Sequence, residues 1–302
     1  MADCLAIDIG GTKMVAARVD SAGTVQAQSR CSTPKSDDAQ VVFGSLAEII
    51  AEVSADAPDG FAACGVGCGG PMTVGGASVS PLNIPGWREF PLLDRLVELT
   101  GLPTEIDNDA KALALGEGWI GAAAGHRNYL AMVVSTGVGA GLVVDGRLLD
   151  GVDGNAGHLG HVVVVPDGRA CVCGSAGCLE AEASGSAIAA FSGRPAKEAG
   201  PDIRARTGTL VGRAVAQAVV LLDIDLALVA GSVALGFGDP FFAAAQAELD
   251  RMARISYAGG AVIRPAGLGA DGPIIGAAAV GWRHLRAHNH DPAGADPAGV
   301  GP

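Results

Sequence analysis

Residues 154–180 read GNAGHLGHVVVVPDGRACVCGSAGCLE. Within them His161, Cys171, Cys173 and Cys178 follow one another with nine, one and four residues between. Three thiols and one imidazole are the donor set of a closed, four-coordinate structural zinc site. Gly174 and Gly177 let a short knuckle fold back so that the sulfurs converge on one ion. His158 lies just before the first donor and Glu180 just beyond the last, so a metal that fixes the knuckle also fixes those two side chains.

The remaining cysteines, Cys4, Cys31, Cys64 and Cys68, read as small buried apolar residues. Seven is an odd count, and Met1 runs through Ala-Asp-Cys straight into strand-like residues. A disulfide framework and a secretory leader are therefore not expected, and the chain reads as cytoplasmic.

The length of 302 residues favours two domains over one. No apolar run approaches the roughly 20 residues of a membrane helix. A formal net charge of −12 argues against nucleic acid and anionic membranes as partners. Phosphates, if bound, must be met locally by backbone N–H groups and a cation. The stretch 289–302, rich in Pro, Gly, Ala and Asp, reads as a disordered tail.

Along the chain, Leu5–Ile9, Met14–Val19 and Val25–Ser29 form a strand meander, and Ala39–Val53 has helical periodicity. A strand over Phe61–Val66, a helix over Pro91–Leu99 and a strand over Pro103–Asp107 follow, with Asn108 placed to cap the next helix. The plan then restarts. Tyr129–Val134 is a strand, STGVGAG (Ser135–Gly141) a glycine turn, and Leu142–Val144 a second strand. Beyond the knuckle come helices over Thr209–Leu222 and Phe241–Ile255, strands over Leu226–Val229 and Ala261–Pro265, and a last helix over Ile274–Leu285. Two α/β lobes of similar design with a cleft between them are expected.

Chemistry concentrates at the turns. In DIGGTK (Asp8–Lys13) two glycines and a threonine follow a strand, and their N–H groups form an anion-binding concavity; Asp8 can hold a divalent cation. STGVGAG repeats that logic, and two facing turns suit a polyphosphate. Neither is a Walker loop or a dinucleotide fingerprint. At Asp107-Asn108-Asp109, the Asn108 amide suits a sugar hydroxyl and Asp109 can accept a proton from an attacking alcohol; a plain helix cap is the competing reading. Lys111 falls on a helix face and reads as solvated.

Taken in order, DIGGTK, GCGGPM, PLNIPGW, IDNDAKALALGE, STGVGAG and the His/Cys knuckle resemble the ROK family of sugar kinases across residues 3–287. The resemblance implies a two-lobed actin-like ATPase (ribonuclease H-like) hexokinase fold, with residues 1–110 plus 273–288 as the smaller lobe and 111–272 as the larger. It implies ATP, Mg²⁺ and structural Zn²⁺ as cofactors, a small sugar as partner and a homodimer. Asp8, Gly10, Gly11, Thr12 and Lys13 would meet the phosphates and magnesium; Thr136, Gly137 and Gly139 would form the second phosphate turn, and Gly231 would approach the adenosine. Gly69, Asn83, Asn108, His158, His161 and Glu180 would hold the sugar, with Asp109 as general base. Most of the family has glutamate where this chain has His158. The GHxGH form is similar to bacterial N-acetylmannosamine kinases, so N-acetylmannosamine is expected slightly ahead of glucose. A sugar-binding regulator would need damaged phosphate turns, and a zinc hydrolase an open metal position; neither fits these motifs.

Overall fold

The computed structural model describes residues 2–288 apart from 56 and 58; the tail expected over 289–302 lies outside them. The chain first lays down β1 (Asp3–Ile9), β2 (Lys13–Val19) and β3 (Val25–Ser32), then α1 (Ala39–Ala55), β4 (Phe61–Cys68), α2 (Leu92–Thr100), β5 (Thr104–Asn108) and α3 (Asp109–Trp119). It continues with β6 (Tyr129–Val134), β7 (Val138–Val144), β8 (Arg147–Leu148), α4 (Leu179–Ala183), α5 (Gly185–Ser192) and α6 (Pro201–Leu222). β9 (Leu226–Ala230), α7 (Ser232–Phe237), α8 (Asp239–Met252), β10 (Val262–Pro265) and α9 (Gly272–His288) complete it.

These strands make two mixed sheets, ordered β3-β2-β1-β4-β5 and β10-β9-β6-β7-β8. Read from opposite edges, the two orders are the same. In each, the sheet's first strand pairs antiparallel with its second, and the next strands add parallel on the other side. The repeat expected from the sequence is thus present as a repeat of topology. β1 is buried along almost its whole length because helices cover both faces, which explains its unbroken apolar run. β3 alternates half-buried and exposed residues, as an edge strand with one wet face should.

Each sheet has an outer and an inner face. Outside the first lie α1, α2 and the 79–90 segment, packed around Leu46, Ile84, Trp87 and Leu96. Outside the second lie α4 to α8, around Val211, Val215, Leu228's neighbours Ala227 and Val229, and Phe241. The inner faces are covered by α9 on β1 and β2 and by α3 on β6 and β9. α3 and α9 cross between the sheets so closely that a Cβ on Gly276 would stand 2.6 Å from the Ala112 carbonyl oxygen. The lobe boundary expected at 110/111 falls inside α3, a helix that touches both sheets.

Several elements differ from the expected bounds, and for α6 and β7 the reason is identifiable. α6 begins at Pro201, not Thr209; its first turns carry Asp202, Arg204 and Arg206 and so show no apolar period, while Pro201 supplies a favourable first residue. β7 begins at Val138, so the second glycine turn is only Ser135–Gly137. Gly139 and Gly141 lie in the strand itself. A Cβ on Gly141 would come within 2.8 Å of the Lys111 Cα, and one on Gly139 within 3.1 Å of the Ala110 Cβ. These two glycines admit α3 against β7.

Candidate active site

The first turn is closed by Gly10 N–H donating to the Lys13 carbonyl (3.0 Å), and is tied to the end of β3 by Thr33, whose hydroxyl donates to the Gly10 carbonyl (2.6 Å). Thr12 and Lys13 are exposed at its tip. A Cβ on Gly11 would lie 2.2 Å from the Cβ of Asn83. Glycine is required there because the turn rests directly on Asn83, an expected sugar ligand. The second turn has the same relation to the other wall. Ser135 N–H donates to the Gly137 carbonyl (2.9 Å), and a Cβ on Gly137 would meet Glu180 Oε2 at 2.8 Å. That same carboxylate oxygen accepts the Val138 N–H at 2.9 Å. Each phosphate-type turn therefore touches a residue expected at the sugar. Thr136 is exposed at the tip of this turn; the Ser135 and Ser232 hydroxyls, 3.0 Å apart, join it to the start of α7, beside Gly231 at φ +100°.

Asp8, Gly67 and Asp107 lie in one row across β1, β4 and β5. One residue on, Asn108 caps α3, its Oδ1 accepting the Ala110 N–H at 3.0 Å, and Asp109 Oδ1 accepts the same N–H at 2.8 Å. The cap expected as the competing reading is thus real for Asn108, and it leaves the Asn108 Nδ2 without a share in the capping. A Cβ on Gly70 would stand 3.7 Å from that Nδ2, which places Asn108 beside the segment following Gly69.

Asp8 and Asp109 interact. Burial, and then the Asp109 charge, push the Asp8 carboxyl up to about 7, with Lys13 opposing. Asp109 is also raised, mainly by the protein packed around it; the Ala110 N–H and the field of His158 act the other way. Yet Asp109 retains an exposed surface. A carboxylate hemmed in by protein but reached by solvent from one side is placed as a base facing a substrate recess should be. His158 Nδ1 lies 2.9 Å from the Asn155 carbonyl oxygen. A carbonyl only accepts, so neutral His158 carries its proton on Nδ1 and presents Nε2 as an acceptor.

The four knuckle donors converge as their spacing predicted. Their ligand atoms all lie within 4.8 Å of one another. Cys173 and Cys178 sulfurs are 3.7 Å apart, and Cys171 Sγ is 3.6 Å from His161 Nδ1. A tetrahedral zinc with ordinary Zn–S and Zn–N lengths sets these separations at about 3.8 and 3.6 Å. The quartet fits that ion. His161 offers Nδ1 to the donor set, leaving Nε2 on the ring edge away from the sulfurs, and its ring lies 6.1 Å from that of His158.

Two charged residues outside the motifs, and one expected to be solvated, carry structure here. Glu182 is buried; it accepts the Arg169 N–H (2.7 Å) and binds the guanidinium groups of Arg169 and Arg206. Its carboxyl is held below the usual range by these donors, against the opposing effect of burial. Arg169 also lies over the Phe191 ring at 4.1 Å, so the knuckle is fastened to α5 and α6. Glu117, fully buried, accepts N–H groups of Ala122, Gly267 and Leu268 at 2.8 to 3.1 Å. Lys111 is not solvated, as expected from its helix position, but buried. Two of its partners, Asp150 and Gly154, stand 39 and 43 residues away in sequence, a distance at which helical periodicity carries no signal.

The comparisons with known proteins agree with this geometry. The ROK family profile matches residues 4–283. Glucokinase of Halalkalibacterium halodurans is 40% identical over 188 residues, 61% of this chain; the match spans 57% of that relative's length, under two thirds. N-acetylmannosamine kinase of Citrobacter koseri is 37% identical over 252 residues, 78% of this chain and 84% of the relative. Among solved structures, a ROK family glucokinase from Streptomyces griseus in complex with glucose and AMPPNP superposes with a TM-score of 0.81 at 28% identity, covering 93% of this chain and 99% of that one. With its paired sheets, its two glycine turns and a family match over nearly its whole described length, this chain belongs to the ROK family.

Proposed function

We propose that this protein is an ATP-dependent sugar kinase that phosphorylates the 6-hydroxyl of a hexose or N-acylhexosamine, with N-acetylmannosamine the favoured acceptor. The observation that carries the reading is the Asp8–Asp109 pair. Two carboxylates raised by burial, one electrostatically coupled to the other, stand at the ends of parallel strands beside a glycine turn that rests on Asn83. Asp8 has the place and charge to hold the cation accompanying a nucleotide, and Asp109 those of the base for the acceptor alcohol.

In this reading the N–H groups of Gly10–Thr12 and Ser135–Gly137 cradle the phosphates, and the region around Gly231 receives the adenosine. Bound Mg²⁺ supplies charge neutralisation on the β- and γ-phosphates. Gly69, Asn83, Asn108, His158, His161 and Glu180 align the sugar. The 6-hydroxyl oxygen attacks the γ-phosphorus, its proton passes to Asp109, and the bond to the bridging oxygen of ADP breaks. Alignment and electrostatics carry most of the acceleration. The zinc quartet serves as a brace, since four protein donors leave no position for water. We assign residues 1–110 with 273–288 to one lobe and 111–272 to the other, closing over the substrates.

His158 distinguishes the acceptors. A single Nε2 acceptor replaces the two oxygens of glutamate, which weakens the case for glucose and favours an acceptor with fewer hydroxyls to satisfy at that wall. Glucose remains the second reading, supported by the H. halodurans relative. Asp109→Asn in an ADP-release assay over a panel of hexoses and N-acylhexosamines is the test: turnover should fall about 10²- to 10⁴-fold with the variant still folded. Turnover close to wild type would remove Asp109 as the base.

A further inference from the structure

Lys111 occupies the first turn of α3, two residues beyond Asp109 and 3% exposed. A buried ammonium has three N–H donors to place. This one donates to Asp150 Oδ1 at 2.5 Å and to the Gly154 carbonyl oxygen at 3.2 Å, and forms an ion pair with Asp107 Oδ1 at 3.0 Å. Asp107 belongs to β5 of the first sheet, whereas Asp150 and Gly154 lie in the loop that leaves β8 of the second. The ammonium thus spans from one sheet's terminal strand to the other's exit loop.

That loop leads into the expected sugar wall. The Asp150 carbonyl accepts the Ala156 N–H at 3.0 Å, folding 150–156 into a compact turn, and the Asn155 carbonyl fixes the His158 ring. The hydrogen bonds from α3 to this turn are made by Lys111. The other end of the bridge is firm without it, because Asp107 Oδ2 is also held by Arg283 of α9 at 2.9 Å.

We propose that Lys111 is a positioning residue that pins the 150–158 loop, and with it His158, at a set distance from Asp109 on the same helix. One ammonium then fixes the register between the sugar wall and the general base. The nucleotide side, built from the two glycine turns, has no part in the bridge. This proposal rests on the kinase reading for its kinetic consequence but not for its structural one.

Asp150→Asn and Lys111→Met separate these. Asp150 has a side chain 60% exposed, so its replacement leaves the core untouched even if Lys111→Met does not fold. Lys111→Met removes the ammonium and Asp150→Asn the charge that holds it, so each variant should raise the KM for sugar about ten- to hundredfold. The KM for ATP should stay within about twofold. Asp150→Glu, which keeps the carboxylate, should recover much of the loss. Amide hydrogen exchange over 150–158 should quicken in Asp150→Asn without substrates present. Unchanged exchange, or a KM for ATP that rises in step with that for sugar, would overturn the latch. If the wild-type protein phosphorylates no sugar, the kinase reading falls, and the exchange measurement alone still decides the latch.

Discussion

The two sheets share one topology, but the segments inserted into them are held by different means. The insertion after β4, residues 69–91, is fastened by a greasy anchor. Trp87 is fully buried and stacks on Phe90 with centroids 4.6 Å apart, Phe43 closes on Phe90 at 5.8 Å, and Val79 and Ile84 fill in around them. The insertion after β8, residues 149–200, buries aliphatic side chains such as Leu159, Val164, Leu179 and Ile188, and adds to them a set of converging charges and potential metal donors. The quartet's donor atoms converge within the knuckle, Glu182 ties it to Arg169 and Arg206, and Lys111 ties its leading loop to α3. Both insertions carry residues expected at the sugar, Asn83 on one and His158, His161 and Glu180 on the other. A wall can be made stiff either by burying aromatic area or by satisfying converging polar groups. The second route suits a wall that must present polar atoms to a sugar.

The contrast can be broken most severely by stripping the metal. Structural zinc in small knuckles contributes on the order of 10 kcal/mol of local folding energy. A verified metal-free sample should lose sugar affinity in calorimetric titration, while Trp87 fluorescence in the first insertion stays native. Retained affinity would show that the quartet is not the brace. A smaller effect is expected on the aromatic side. Trp87→Ala should cost about 3–5 kcal/mol of stability in chemical denaturation through the cavity it leaves, with metal content unchanged. If zinc stoichiometry falls as well, the two insertions are not independent.

The smallest effect tests the floor between the walls. Asp8 titrates near 7 when folded, against an ordinary 3.8. Between those values the folded protein keeps a proton that the unfolded chain has lost. This stabilisation is full below 3.8 and disappears as pH rises through about 7. A cation bound by Asp8 needs the ionised form. Magnesium-nucleotide affinity should therefore climb by up to about tenfold per pH unit below 7 and level off above it. Asp8→Asn should flatten that slope; a slope unchanged in the variant would assign the titration to another group.

Much of this was legible because the chemistry needs fixed spacings. The quartet at 161, 171, 173 and 178, the glycines of the first turn and the Asn108-Asp109 step are local patterns, and the coordinates bring each set together. The strands were legible from apolar runs. What stayed hidden was non-local or lacked a period. Glycines at 139 and 141 look like a loop but line a strand, because the reason for them is α3 on the far side. Arg204 and Arg206 hid the first turns of α6 by putting charge where the period wants apolar residues. Lys111 was misread as solvated for the same reason as Glu182 was overlooked: a charge is solvated by default, and only its distant partners show otherwise.

The last described helix has a consequence for how the molecule is made. α9 covers β1 and β2 through Ile274, Ile275, Ala277 and Ala278. The strands it shields emerge from the ribosome well before their shield does. During synthesis the second sheet has all its own strands and outer helices in hand while the first still shows a bare apolar face. That face stays open until α9 docks, and the helix acts as the stopper that closes it.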